Sequence, residues 1–166
     1  MLDALLIITL TICLVTDIRR KKIYNVILMP ALIAGFAINI YNLGLTGLIF
    51  SIKGFFVGLI FLLLPFIWGG IGAGDVKLLA TIGAIKGPEF VFYAFLGAGL
   101  TGGIIAVIIL LFQKRLFSTL RDLWKGIIVL FATKFKVANF GSKNANNMFP
   151  YGIAITLGAL SAYFVG

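Results

Sequence analysis

An all-α polytopic membrane protein, one domain over residues 1–166, is the fold class this sequence predicts. Three observations lead there. Of the 166 residues, 61% are hydrophobic and only 11% charged, more apolar surface than a soluble domain of this length has interior to hide. The apolar residues fall in runs approaching the ~20 residues that cross a bilayer. Those runs are rich in Gly, Phe, Leu and Ile and lack the alternation of membrane barrel strands, so helices are expected. Four prolines and no low-complexity run leave no linker to a second domain.

Six transmembrane helices follow in order. The first, 4–15, is short and clean and reaches about 17 residues with its flanks. It does not read as a cleaved signal peptide, because Asp3 precedes it and its positive charges come after it. The second runs over 25–41 and the third over 55–68. The fourth, 76–85, is short and bounded by glycines. The fifth, 90–112, is the longest, and 148–165 is the sixth. Between the last two lies a long basic loop, about 113–147. Within it Leu116, Leu120, Leu123, Ile127 and Leu130 recur every three or four residues. That spacing predicts an amphipathic helix on the inner membrane surface. A seventh span over 127–132 is the competing reading, and its apolar core is short. "NFGSKNANN" then reads as a polar loop.

Orientation comes from Lys and Arg. With six helices, Arg19, Arg20, Lys21, Lys22, Lys77 and the seven basic residues of the long loop share one side. Lys53 and Lys86 fall on the other. The basic side is expected to be cytoplasmic, with both termini outside, in the plasma membrane. The net charge of +9 is thereby assigned to topology and to anionic lipid headgroups. Membrane lipids are the expected partners of that charge; nucleic acid is not.

Several chemistries are excluded within the chain. There is no histidine and a single cysteine, Cys13, in an apolar run. His-ligated zinc, Ser/His/Asp triads, Cys/His nucleophiles and a disulfide framework are all ruled out. No metal and no cofactor is expected.

The acids are scarce: Asp3, Asp17, Asp75, Glu89 and Asp122. Asp3 and Glu89 fall at outer ends, and Asp122 sits among cations in the basic loop. Asp17 ends the first helix and Asp75 opens the fourth, with two crossings between them, so both lie at the cytoplasmic side at similar depth. Two carboxylates held close do not both ionise easily. The ionised one can take a proton from water while the protonated one polarises a peptide carbonyl. Gly72 and Gly74 would let a backbone approach at the helix mouth. A structural reading stands beside this one. Asp17 would pair with Arg20 or Lys21, and Asp75 would cap the fourth helix. Ionisable residues within membranes usually mark function, which favours the first reading for the pair.

"GAGDVKLLA" resembles the GxGD motif of membrane aspartic peptidases. With "DIRRKKIYN" upstream and "FPYGIAI" near the end, the chain resembles type IV prepilin peptidases. It is most similar to the short forms serving Flp/Tad-type pili, and next to archaeal preflagellin peptidases. The resemblance implies a GxGD aspartic peptidase fold and a catalytic dyad of Asp17 and Asp75, with Gly72 and Gly74 as the motif glycines. Pro150, Tyr151 and Gly152 match a Pro-aromatic-Gly segment that would shape the site or hold substrate backbone; a plain helix start with Pro in its first turn is the alternative. Lys77 and Asn25 match recurrent positions and would serve as support. Lys77, two residues from Asp75, falls on a different helix face. The implied substrate is a pilin precursor with a short basic leader ending in glycine, followed by a hydrophobic helix. Cleavage is expected at the cytoplasmic membrane face.

The chain departs from the family pattern in two places. Tyr24 stands where Pro often precedes the Asn, which changes loop stiffness and not chemistry. The cytoplasmic region with paired cysteines found in longer bacterial members is not in this sequence, so peptidase activity is expected without methyltransferase activity. A cation- or proton-coupled transporter using Asp17 and Asp75 as ion ligands is the rival reading, and a non-catalytic assembly subunit is a third. Both acids lie at the membrane edge and no inverted repeat is visible, which speaks against the transporter.

Overall fold

The computed structural model describes residues 1–67, 69–112 and 151–165. The long basic loop, the amphipathic helix expected within it and Pro150 lie outside the described residues. Five helices and no strand are present among those described: α1 (Leu2–Arg20), α2 (Asn25–Ile67), α3 (Ala73–Lys86), α4 (Pro88–Phe112) and α5 (Tyr151–Val165).

α2 is not one straight rod. At Gly44 the backbone takes φ 59° and ψ −135°, a combination close to glycine-only space. Asn39 Nδ2 donates to Ser51 Oγ at 2.8 Å. Twelve residues along a straight helix would separate these groups by roughly 18 Å. The chain therefore folds back at Gly44 into two limbs, 25–43 and 45–67, about 28 and 34 Å long at the helical rise. α2 and the stretch Pro88–Ile109 of α4 are long and apolar enough to cross a membrane, and α5 is a shorter apolar helix.

The sequence expectation of a break over residues 42–54 is corrected here, because helix resumes at 45. Thr46, Gly47, Ser51, Lys53 and Gly54 dilute the hydropathy there and make the stretch look like a loop. In the fold the small residues among them form a packing stripe. Gly54 and Gly83 press against each other's carbonyl groups, and a Cβ at Gly58 would stand 2.5 Å from Leu79 O. Small residues four apart let helix backbones touch, which is how membrane helices associate without a hydrophobic drive. α4 and α5 meet in the same way. A Cβ at Gly97 would lie 2.8 Å from Gly158 Cα, and Thr101 Oγ1 donates to Ala154 O at 3.1 Å.

α3 is the axis of the bundle. Leu78, Leu79, Ala80, Ile82, Ala84 and Ile85 are fully buried in it, while Ile8, Ile33, Leu45, Ile60 and Leu100 of the surrounding helices face outward. Apolar surface on the outside is what a bilayer, and not water, would solvate. The C-terminal end of α3 is fastened by Asn39, whose Nδ2 also lies 3.1 Å from Ala84 O and 3.2 Å from Ile85 O. Those last-turn carbonyls have no partner within their own helix.

The same end carries a charged clasp. Lys86 Nζ donates to Asp3 Oδ1 at 2.6 Å, and Tyr163 Oη donates to the same oxygen at 2.9 Å. The ammonium also lies over the Phe90 and Tyr163 rings, 5.3 and 5.0 Å from their centroids. Asp3 and Lys86, both placed on the outer side by the charge pattern, thus meet at one end of α1 and α3. The other ends of α1 and α3 carry Asp17 and Asp75.

Candidate active site

Asp17 sits in the last turn of α1. The helix is closed behind it by Lys21, whose N–H donates to Asp17 O at 2.8 Å from the left-handed conformation common at helix C-termini. Asp75 lies in the first turn of α3, three residues after Gly72 at the N-cap. The two residues are 4% and 9% exposed, and they are the buried acidic residues among those described. Asp75 lies near enough to Asp17 to feel its charge.

Neither carboxylate has a cation among the described residues. The ion pair among the described residues is Lys86–Asp3, at the opposite end. The pairing of Asp17 with Arg20 or Lys21 is not formed; Arg20 Nη1 instead donates to Tyr24 Oη at 3.3 Å. Tyr24 therefore does in this chain what a proline could not, since it ties the α1–α2 link back onto α1. The capping alternative for Asp75 holds in altered form. Gly72 is the N-cap, and Asp75 Oδ2 accepts the Gly72 N–H at 3.2 Å, the reach-back half of a capping box.

The glycines of the motif have separate surroundings. A Cβ at Gly72 would stand 3.2 Å from Asp75 Oδ2 itself. One at Gly74 would stand 3.0 Å from Ile23 Cβ and 3.4 Å from Ile23 O. The backbone that approaches Gly74 is thus the chain's own α1–α2 link. That contact holds the end of α1, with Asp17, against the start of α3, with Asp75.

α5 brings the third wall. The Tyr151 ring is half-buried and packs on α4, where a Cβ at Gly102 would lie 3.1 Å from Tyr151 Cε2. Tyr151 is near enough to Asp75 to feel its charge. Gly152 faces Asp17, and the backbone amides of Gly152 and Ile153 approach its carboxylate. Asp17 Oδ2 is nonetheless buried without a hydrogen-bond partner among the described residues.

Lys77 and Asn25 meet: Lys77 Nζ donates to Asn25 Oδ1 at 3.1 Å. This bond joins the start of α2 to the first turns of α3. Sequence reasoning named both residues and missed the pair. The depth argument applied to the acids would have found it, since Asn25 and Lys77 each open a helix on the same side. The contact of Gly152 with Asp17 left no such signal, because a glycine carries no charge or pattern to pair. No group of three potential metal ligands of the His, Cys, Asp or Glu types occurs among the described residues.

Two buried carboxylates with no counter-ion among the described residues, at one end of a helical bundle and near each other, suit proton transfer to and from a bound water. The profile of the type IV leader peptidase family matches residues 4–107. That span is more than half of the chain and contains both aspartates and the "GAGD" run. The chain belongs to the type IV leader peptidase family, and so is a peptidase and a membrane protein. Comparison with curated proteins and with solved structures gives no match.

Proposed function

We propose that this protein is an aspartic endopeptidase of the membrane that removes the basic leader from type IV prepilin-like precursors, with Asp17 and Asp75 as its catalytic dyad. The observation that supports this reading is the burial of two carboxylates, at the end of α1 and the start of α3, with no cation on either among the described residues. The pair shares one proton. The ionised carboxylate takes a proton from water as that water attacks the scissile carbonyl. The protonated one gives its proton to the carbonyl oxygen. Collapse of the tetrahedral intermediate passes a proton to the leaving nitrogen and restores the singly protonated pair. No covalent intermediate forms, and neither metal nor cofactor is needed.

The six-span arrangement follows from the same reading. α1, the two limbs of α2, α3, α4 and α5 each cross the bilayer, with the dyad and the basic residues Arg19, Arg20, Lys21 and Lys22 on the cytoplasmic side. A single cysteine replacing Lys22, in a Cys13→Ser background, is then shielded from impermeant thiol reagents outside intact cells, and one replacing Glu89 is labelled. The reverse pattern overturns the orientation.

The reaction is tested by co-expressing the protein with a precursor that has a short basic leader ending in glycine and one apolar helix. Mass measurement of the product should show the leader removed after the glycine and no added methyl group. Cleavage in detergent should persist under strong chelation. Loss on chelation with rescue by one divalent ion overturns the aspartic mechanism.

A further inference from the structure

Gly152 has no side chain, and the Asp17 carboxylate lies where one would be. A Cβ at Gly152 would stand 2.5 Å from Asp17 Oδ2 and 3.0 Å from Asp17 Cγ, well inside ordinary non-bonded contact at ~3.5–4.0 Å. Either the carboxylate or α5 would have to give way. α5 is held close by: the Thr101 hydroxyl donates to Ala154 O at 3.1 Å two residues along. The Tyr151 ring abuts α4 at Gly102, and further up the helix Gly158 is wedged against the backbone of Ala98. The carboxylate is the part free to move.

A second observation points the same way. The Gly152 and Ile153 amides of α5 approach the Asp17 carboxylate. Asp17 is 4% exposed, and its Oδ2 has no partner among the described residues. The backbone of α5 at Gly152 is thus the wall against which this buried carboxylate rests.

We propose that Gly152 is a positioning residue. With the first described turn of α5 it fixes the Asp17 carboxylate in its place beside Asp75, and it does not bind substrate. This rests on the reading of Asp17 as a member of the catalytic pair. α5 thereby takes part in the site although it carries no acid, and the spacing between the two carboxylates is set by three helices.

The test is Gly152→Ala in the full-length protein, with Gly103→Ala as the control, since a Cβ at Gly103 meets nothing within 4 Å. Steady-state cleavage of a leader-bearing peptide should show kcat reduced about 10- to 100-fold, the scale of a misplacement near 1 Å. KM should stay within about twofold, and the limbs of the pH–rate profile should shift because they belong to the pair. A raised KM with kcat and pH profile intact would make Gly152 a substrate contact and overturn the proposal; so would no change at all. A double-mutant cycle reads the contact itself, and where Gly152→Ala fails to accumulate its readout is membrane level in place of melting temperature. Asp17→Ala vacates the space, so Gly152→Ala should cost melting temperature in the native background and little in the Asp17→Ala background. Equal cost in both, or failure of both variants to accumulate, overturns the proposal. If Asp17→Asn is itself active, the dyad reading fails instead. If Asp17→Asn is dead and Gly152→Ala behaves as native, only the present proposal fails.

Discussion

α1, α3 and α5 each carry polar groups at both of their ends, and the two ends treat carboxylates differently. At one end Asp3 is met by the Lys86 ammonium and the Tyr163 hydroxyl, and the ammonium also rests over two aromatic rings. At the other, Asp17 and Asp75 are buried, Asp75 is near enough to feel the Asp17 charge, and neither has a cation among the described residues. Nearby cations exist, since Arg19 to Lys22 follow Asp17 directly, but Arg20 is turned to Tyr24 and Lys77 to Asn25. A charge that only fastens helices is neutralised where it stands. A buried pair without compensation is costly, and carboxyls in such surroundings cluster at functional sites.

The largest effect belongs to the uncompensated end. Asp17→Asn and Asp75→Asn should each lower kcat by at least about 10³-fold. The double variant should be no worse than either single one, because groups that act as a unit lose their effect together. The same replacements should hold or raise the melting temperature, since an amide keeps the shape and relieves like-charge repulsion. A fall in stability matching the loss of activity would show that the two ends are alike.

Between the ends, the small-residue stripe keeps α3 in register with α2. Gly58→Leu drives a branched side chain into the Leu79 carbonyl. It should cost about 3 kcal/mol or more, the upper range of overpacking, and thermal unfolding in detergent would read it. At the compensated end, Asn39→Leu leaves Ser51 and the Ala84 and Ile85 carbonyls without their donor. A loss of about 1–3 kcal/mol is expected there, with turnover per folded molecule unchanged. Asp3→Asn should cost about 1 kcal/mol or less, because the Asp3 side chain is 59% exposed and water screens the pair. It should remain active.

Much of this contrast is legible in the sequence, and the reason is that charges are rare in it. With five acids in 166 residues, the order of the expected apolar segments is enough to put Asp17 on one side with Asp75 and Asp3 on the other with Lys86. The helical character of the chain follows from hydropathy alone. What hydropathy hides is contact between small residues. Gly54 lies outside the expected apolar segments and Gly58 and Gly83 lie inside them, and nothing in the hydropathy says that these glycines touch another helix. Gly152 is hidden for the same reason. Its function is the absence of a side chain, and nothing local to "FPYGIAI" says which distant group fills the gap. Lys77 and Asn25 were visible singly; their bond depends on the tight α1–α2 link that Gly74 admits.

The most direct test of the central claim is cleavage of a leader-bearing precursor by purified Asp75→Asn protein, measured per mole of folded enzyme beside Asp3→Asn. The account predicts no detectable product from Asp75→Asn at native or higher melting temperature, and near-native turnover from Asp3→Asn. Appreciable cleavage by well-folded Asp75→Asn would contradict it.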